Sequence, residues 1–126
     1  MSAGSNRGRV ETVTLKSPFV LNGNTITRAR IEIDHINYGL DKKTGELNGK
    51  RRSSFTVSDI EKFLAMLDGE YLMAREHRKR ISRFEVRIDC PVPGKFRKKE
   101  FILIFETDYD KPSEINTITL YPGWRR

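Results

Sequence analysis

The residues with the most chemistry to offer lie far apart in this chain. His35, in HINYG, stands just ahead of DKKTGELNGKRRSS, a loop rich in glycine, lysine and arginine. A histidine accepts or donates a proton near neutral pH. Lys50, Arg51 and Arg52 could neutralise a pentavalent phosphate. These are the parts needed to cleave RNA through its own 2′-hydroxyl without a metal. One group takes the 2′ proton, another protonates the leaving 5′ oxygen, and cations hold the charged intermediate. His77, in REHRKR, is the weaker candidate, because such a run more often forms a solvated face. No zinc site and no cofactor is expected at either histidine.

The last apolar segment, INTITLY, adds hydroxyls. Strand alternation puts Ile118 and Leu120 on one face and Thr117, Thr119 and Tyr121 on the other. Thr and Tyr fill exposed sheet faces for reasons of propensity alone, but such hydroxyls also hydrogen-bond phosphates. Tyr121 and Trp124 offer flat surfaces on which unpaired bases stack, and Arg125 follows directly. In KFRKK, Lys95, Arg97, Lys98 and Lys99 stand at an expected hairpin tip. They serve either as phosphate anchors or as a solubilising turn, since backbone contacts need only positive charge. Cys90, before a proline, has no base nearby in sequence and is expected to be structural.

Those groups need a scaffold, and 126 residues suffice for one domain with a real core. Hydrophobic residues make up 37% and charged residues 33%, and the formal net charge is +7. That balance favours an anionic partner: RNA, DNA, an acidic protein or a membrane surface. A lone cysteine excludes an internal disulfide and fits a reducing, cytoplasmic setting. The longest apolar run, FILIF, is far too short to span a membrane, and no membrane partner is expected. The polar start, MSAGSNRGR, reads as a flexible arm over residues 1–9, with one domain over 10–126.

The patterning predicts an α+β domain. One or two short edge strands fall in residues 10–21, broken at Pro18, and Asn22-Gly23-Asn24 marks a turn. In residues 24–40, Ile31 and Ile33 alternate with charges. Ile26, Ala29, Ile33, Ile36 and Leu40 instead follow helical spacing. The helix is preferred, capped by Asn24 or Thr25 and ended by Gly39. A second helix starts at an N-cap Thr56, with Asp59 in its first turn and Phe55 and Ile60 at the staple positions. Ile60, Phe63, Leu64 and Leu67 form its buried stripe, and Gly69 stops it. Residues 71–77 fit either a strand or one more helical turn. RFEVRID alternates, FILIFET suits the centre of a sheet, and INTITLY closes the chain. Short connections make these last strands an antiparallel meander of three to four strands, with the N-terminal strands and helices packed on it.

HINYG, then GKRRSSFT leading into a helix, then a meander ending in ITLYP, resembles the barnase–EndoU–colicin–RelE superfamily of small metal-independent ribonucleases, which occur as toxins. The resemblance spans roughly residues 24 to 123. It implies a metal-independent endoribonuclease in which His35 is the general acid/base and Lys50, Arg51 or Arg52 stabilises the phosphate. Thr117 or Thr119, with Tyr121, would line the opposite wall. The second histidine common in the EndoU-like and colicin-like branches has no counterpart in DKKTGELNG. The RelE-like branch often works with Lys, Arg and Tyr alone. The expected partners are RNA, single-stranded or as tRNA or mRNA, and an acidic antitoxin or immunity protein. The competing readings are a non-catalytic RNA- or DNA-binding module and an adaptor for an acidic protein.

Overall fold

The computed structural model describes residues 8–41, 43–49 and 51–123. Its first strand, β1 (Glu11–Leu21), runs through Pro18 without a break; the register against its neighbour shifts between Thr14 and Phe19 instead. An edge position tolerates this, because a proline without an N–H loses no ladder bond on the open side. A turn at Asn22 and Gly23, both at positive φ, leads into β2 (Asn24–Ile31), antiparallel to β1.

The long helix expected over residues 24–40 is therefore corrected. Its first half is strand, and only α1 (Ile33–Tyr38) is helical. Neither Asn24 nor Thr25 caps it; Glu32 holds the N-cap position without a side-chain cap. Thr25, Ile26, Thr27 and Ile31 are stiff at χ1 and favour a pleated surface. That surface is available because β2 finds backbone partners on both edges. The helical spacing of Ile26, Ala29, Ile33 and Ile36 survives as burial, since all four belong to one core.

Helix α2 (Val57–Ala65) forms where Thr56 was expected to cap it. The Thr56 hydroxyl accepts from the Asp59 N–H at 3.1 Å, and the Asp59 carboxylate accepts from the Thr56 N–H at 3.0 Å. Ile60, Phe63, Leu64 and Leu67 are fully buried, and Gly69 turns the chain at φ +83°. Residues 71–77 do not extend the helix. They lead to a three-residue strand, β3 (Glu76–Arg78), and then β4 (Ile81–Asp89), β5 (Glu100–Asp108) and β6 (Lys111–Pro122).

All six strands form one mixed sheet in the order β1-β2-β6-β5-β4-β3. The four C-terminal strands make the expected antiparallel meander. The N-terminal hairpin does not pack on that meander; it extends it, because β2 runs parallel to β6. Both helices put their apolar residues into a single core on one face, against Leu15, Phe19, Phe101, Leu103, Phe105 and Leu120. The other face carries ion pairs instead: Arg83 with Glu106 at 2.9 Å and Arg87 with Glu100 at 2.9 Å. Part of the outer edge of β1 is blocked by α2 and the turn after it. The Val20 N–H donates to Asp68 and the Lys16 N–H to Glu61, which discourages strand addition there.

The β5–β6 register slips by one residue at Ile118, where Ile104 pairs with Thr119 but Phe105 pairs with Thr117. A bulge reverses the side-chain alternation that follows it. The expected row of hydroxyls is thereby split. Thr117 faces the core beside Ile31 and Phe105, completely buried, and its hydroxyl has no hydrogen-bond partner among the described residues. Thr119 and Tyr121 stay on the helix-free face, opposite Ile104 and Ile102.

Candidate active site

Strand β2 accompanies β6 only as far as the pair Ile31–Thr117, after which the Glu32 N–H bonds the Thr117 carbonyl at 3.1 Å. There the chain turns into α1, and the edge of β6 beyond Ile118 is left without a strand on that side among the described residues. Arg52 fills the gap. Its Nη2 donates to the Thr119 hydroxyl at 3.0 Å, and its Nε points to the Ile36 carbonyl at 3.3 Å.

The chain delivers Arg52 there by a clamp. Asn37, on α1, is 3% exposed. Its backbone carbonyl accepts from the Arg52 and Ser53 N–H groups at 2.7 and 3.0 Å. Its side-chain amide donates to the Phe55 carbonyl at 2.9 Å and accepts from the Phe55 N–H at 2.7 Å. Residues 52–55 are thus tied to the helix end at four points. Gly39 completes the seat: at φ +79°, a Cβ would lie 3.1–3.2 Å from the Arg52 guanidinium and the Asn48 amide. Only glycine meets both the backbone geometry and the close approach.

The guanidinium rests against neutral partners. Burial lowers the Arg52 pKa, and the neighbouring Tyr121 phenol, when ionised, pulls it back up. Arginine keeps its proton throughout the physiological range. Among the described residues, no carboxylate forms an ion pair with it. A cation whose contacts among the described residues are a carbonyl and a hydroxyl retains attraction for an anion.

His35 lies in α1, four residues before Gly39 and three after Glu32, the two residues that flank the helix. The His35 carbonyl accepts from the N–H of Gly39, the residue that seats Arg52, at 2.7 Å. The His35 Nδ1 is 3.5 Å from Glu32 Oε1, without hydrogen-bond geometry, and is buried.

Sequence reasoning missed Glu32, Asn37 as a clamp, and Gly39 as a seat. Glu32 gave no motif. Asn37 stood only as a polar residue within HINYG, and Gly39 as a helix stop.

The remaining predicted residues divide. Arg51 donates to the Ser53 carbonyl at 2.8 Å, and its guanidinium lies 5.9 Å from the Tyr38 ring centre. Lys95 bonds Asp59 at the α2 cap and is committed to the fold. Burial alone would raise the Asp59 carboxyl, but the hydrogen bonds from Lys95 and Thr56 outweigh it and hold the pKa below the usual value. Phe96 packs on Phe55 with ring centres 4.6 Å apart, which brings the β4–β5 tip against residues 51–55. Arg97, Lys98 and Lys99 line a concavity of about 510 Å³ there, with Phe96 and Cys90. The Cys90 thiol is half-buried and points to the Val92 carbonyl. Lys50, Trp124 and Arg125 lie outside the described residues. His77 is exposed on the far edge strand, 2.9 Å from the Ser82 hydroxyl. Three strand spacings, about 14 Å, separate β3 from β6.

A second cavity of about 460 Å³ lies at the opposite end of the strands, between Asn24, Arg80, Thr107 and Tyr109, and holds none of the predicted site residues. Among the described residues, no group of His, Cys, Asp or Glu has the placing of a metal site, and no helix is long and apolar enough to cross a membrane. Comparison with protein-family models, curated proteins and solved structures gives no match.

Proposed function

We propose that this chain is a metal-independent endoribonuclease that cleaves RNA through attack of the 2′-hydroxyl, and that it acts as a toxin restrained by an acidic protein. The reading rests above all on Arg52, a solvent-accessible cation whose described partners are all neutral, beside Thr119 and near Tyr121. A phosphodiester is the anion that fits it. The guanidinium meets two non-bridging oxygens in a fork, and the Thr119 hydroxyl lends a further hydrogen bond.

In this mechanism His35 removes the 2′ proton. The 2′ oxygen then forms a bond to phosphorus while the bond from phosphorus to the 5′ oxygen breaks. Tyr121 gives its phenolic proton to the departing oxygen, and the Arg52 charge steadies the phenolate that remains. Arg52 also gains as negative charge builds on the equatorial oxygens, which is where fixed cations contribute most. The basic tip, with Arg97, Lys98 and Lys99, guides the flanking strand through its phosphates, without sequence preference.

The test is cleavage of a long mixed-sequence RNA in EDTA, with end-group analysis. Wild type should leave 2′,3′-cyclic phosphate ends. Arg52→Ala and Tyr121→Phe, folded by circular dichroism, should be slower by on the order of 100-fold or more, as expected for lost transition-state contacts. RNA that binds in a salt-sensitive way but stays intact would make this face a docking surface and refute the enzyme.

A further inference from the structure

Glu32 has no part in the chemistry above, yet its position is unusually determined. Its N–H bonds the Thr117 carbonyl of β6, and its own carbonyl accepts from the Ile36 N–H at 3.0 Å. The residue is pinned between sheet and helix. It stands where a helix takes its N-cap, but its side chain does not cap. The carboxylate, 15% exposed, reaches two other groups instead. Oε2 lies 3.5 Å from Arg30 Nη1, which also contacts Asn116 Oδ1 at 3.3 Å. Oε1 lies 3.5 Å from His35 Nδ1.

On the histidine side, Nδ1 is the buried nitrogen and lacks a hydrogen bond, although the ring keeps some exposed surface. Asp34, next in sequence, is occupied by the Arg9 backbone and side chain. Glu32 is thus the carboxylate placed to meet Nδ1.

We propose that Glu32 is a positioning residue for His35, an inference that rests on the ribonuclease reading. Its carboxylate selects the tautomer with the proton on Nδ1, which leaves the Nε2 lone pair facing the substrate. When Nε2 takes the 2′ proton, the imidazolium keeps its Nδ1 proton and shares it with Glu32, and the pair tightens from its resting 3.5 Å. Arg30, steadied by Asn116, holds the second carboxylate oxygen and stops the side chain from swinging away. No atom of Glu32 touches the RNA. It acts by fixing which nitrogen is presented.

The experiment combines ring ¹⁵N spectra of His35 with RNA cleavage by wild type, Glu32→Ala, Glu32→Gln, His35→Ala and the Glu32→Ala/His35→Ala double variant. Wild type should show the Nδ1–H tautomer. Glu32→Ala should show a mixture, with kcat down about 10- to 100-fold, the usual cost of losing an outer orienting partner, and KM nearly unchanged. Glu32→Gln, which still offers an acceptor oxygen, should fall between. In the His35→Ala background, removing Glu32 should cost no further activity, because the two act as a unit. An Nε2–H tautomer in wild type overturns the proposal whatever the activity. So does an equal Glu32→Ala loss with and without His35, which would mark a structural role. If wild type cuts no RNA, the ribonuclease reading itself fails and this inference falls with it. If wild type cuts and Glu32→Ala matches it, only the inference fails.

Discussion

Replacing Asn37 by alanine should loosen the site more than its small size suggests. The side chain is almost fully buried and makes two hydrogen bonds, both to the backbone of Phe55, itself 2% exposed. Truncation leaves a buried N–H and a buried carbonyl without partners, and no water can reach them without opening the Phe55 packing. Each stranded group costs about 1–3 kcal/mol, so Asn37→Ala should lose about 2–6 kcal/mol. For a chain of this size that lowers Tm by roughly 8–24 °C. The Asn37 carbonyl would still accept from Arg52 and Ser53, so the site should loosen rather than vanish. Urea unfolding gives the stability, and hydrogen exchange at Arg52, Ser53 and Phe55 shows where it was lost. A change below about 1 kcal/mol, or faster exchange spread evenly over the sheet, would refute the clamp.

Other substitutions follow the same reasoning. Gly39→Ala places a Cβ 3.1–3.2 Å from the Arg52 guanidinium at φ +79°; it should cost about 1–3 kcal/mol by thermal unfolding and reduce RNA affinity. Thr117→Val replaces an orphaned buried hydroxyl with a methyl, so stability should hold or rise by up to about 1 kcal/mol, with cleavage unchanged. Asp59→Asn removes the charge from the α2 cap and from Lys95, and should cost about 1–3 kcal/mol at pH 7. The same group sets an acid dependence. Because its folded pKa is depressed, its contribution is complete above the unfolded value of about 3.9 and is lost as pH falls through the lower folded value. Between pH 5 and pH 2, wild type should therefore lose more stability than Asp59→Asn, and parallel curves would contradict the assignment.

The sequence and the structure agree where local signals and tertiary demands coincide. The Thr56–Asp59 cap, the α2 stripe and the meander were all legible, because each rests on neighbours in sequence. Residues 24–31 were not, because their helical spacing competes with a β-branched strand preference that only a partner strand can decide. That partner, β6, is more than 80 residues away. The bulge at Ile118 was equally hidden: nothing in INTITLY marks where the alternation slips, and the slip sends Thr117 to the core face while Thr119 keeps the helix-free face, where it too is buried. Arg52 could be singled out as a cation near a histidine, yet its contact with Thr119 spans 67 positions. Lys95 looked like its neighbours Arg97 and Lys98, and only the Phe96–Phe55 contact shows why it turns inward to Asp59.

The central claim is that Arg52, Thr119 and Tyr121 hold a phosphodiester. The most direct measurement is an NMR titration with a 2′-O-methyl RNA oligonucleotide, which binds but lacks the attacking hydroxyl. The account predicts saturable shifts at the Arg52 Nε–H and at the Thr119 and Tyr121 amides. Smaller shifts should appear along residues 97–99, and none around Asn24, Arg80 and Tyr109. Shifts confined to that opposite end, or an Arg52 side-chain signal unmoved at saturation, would contradict it.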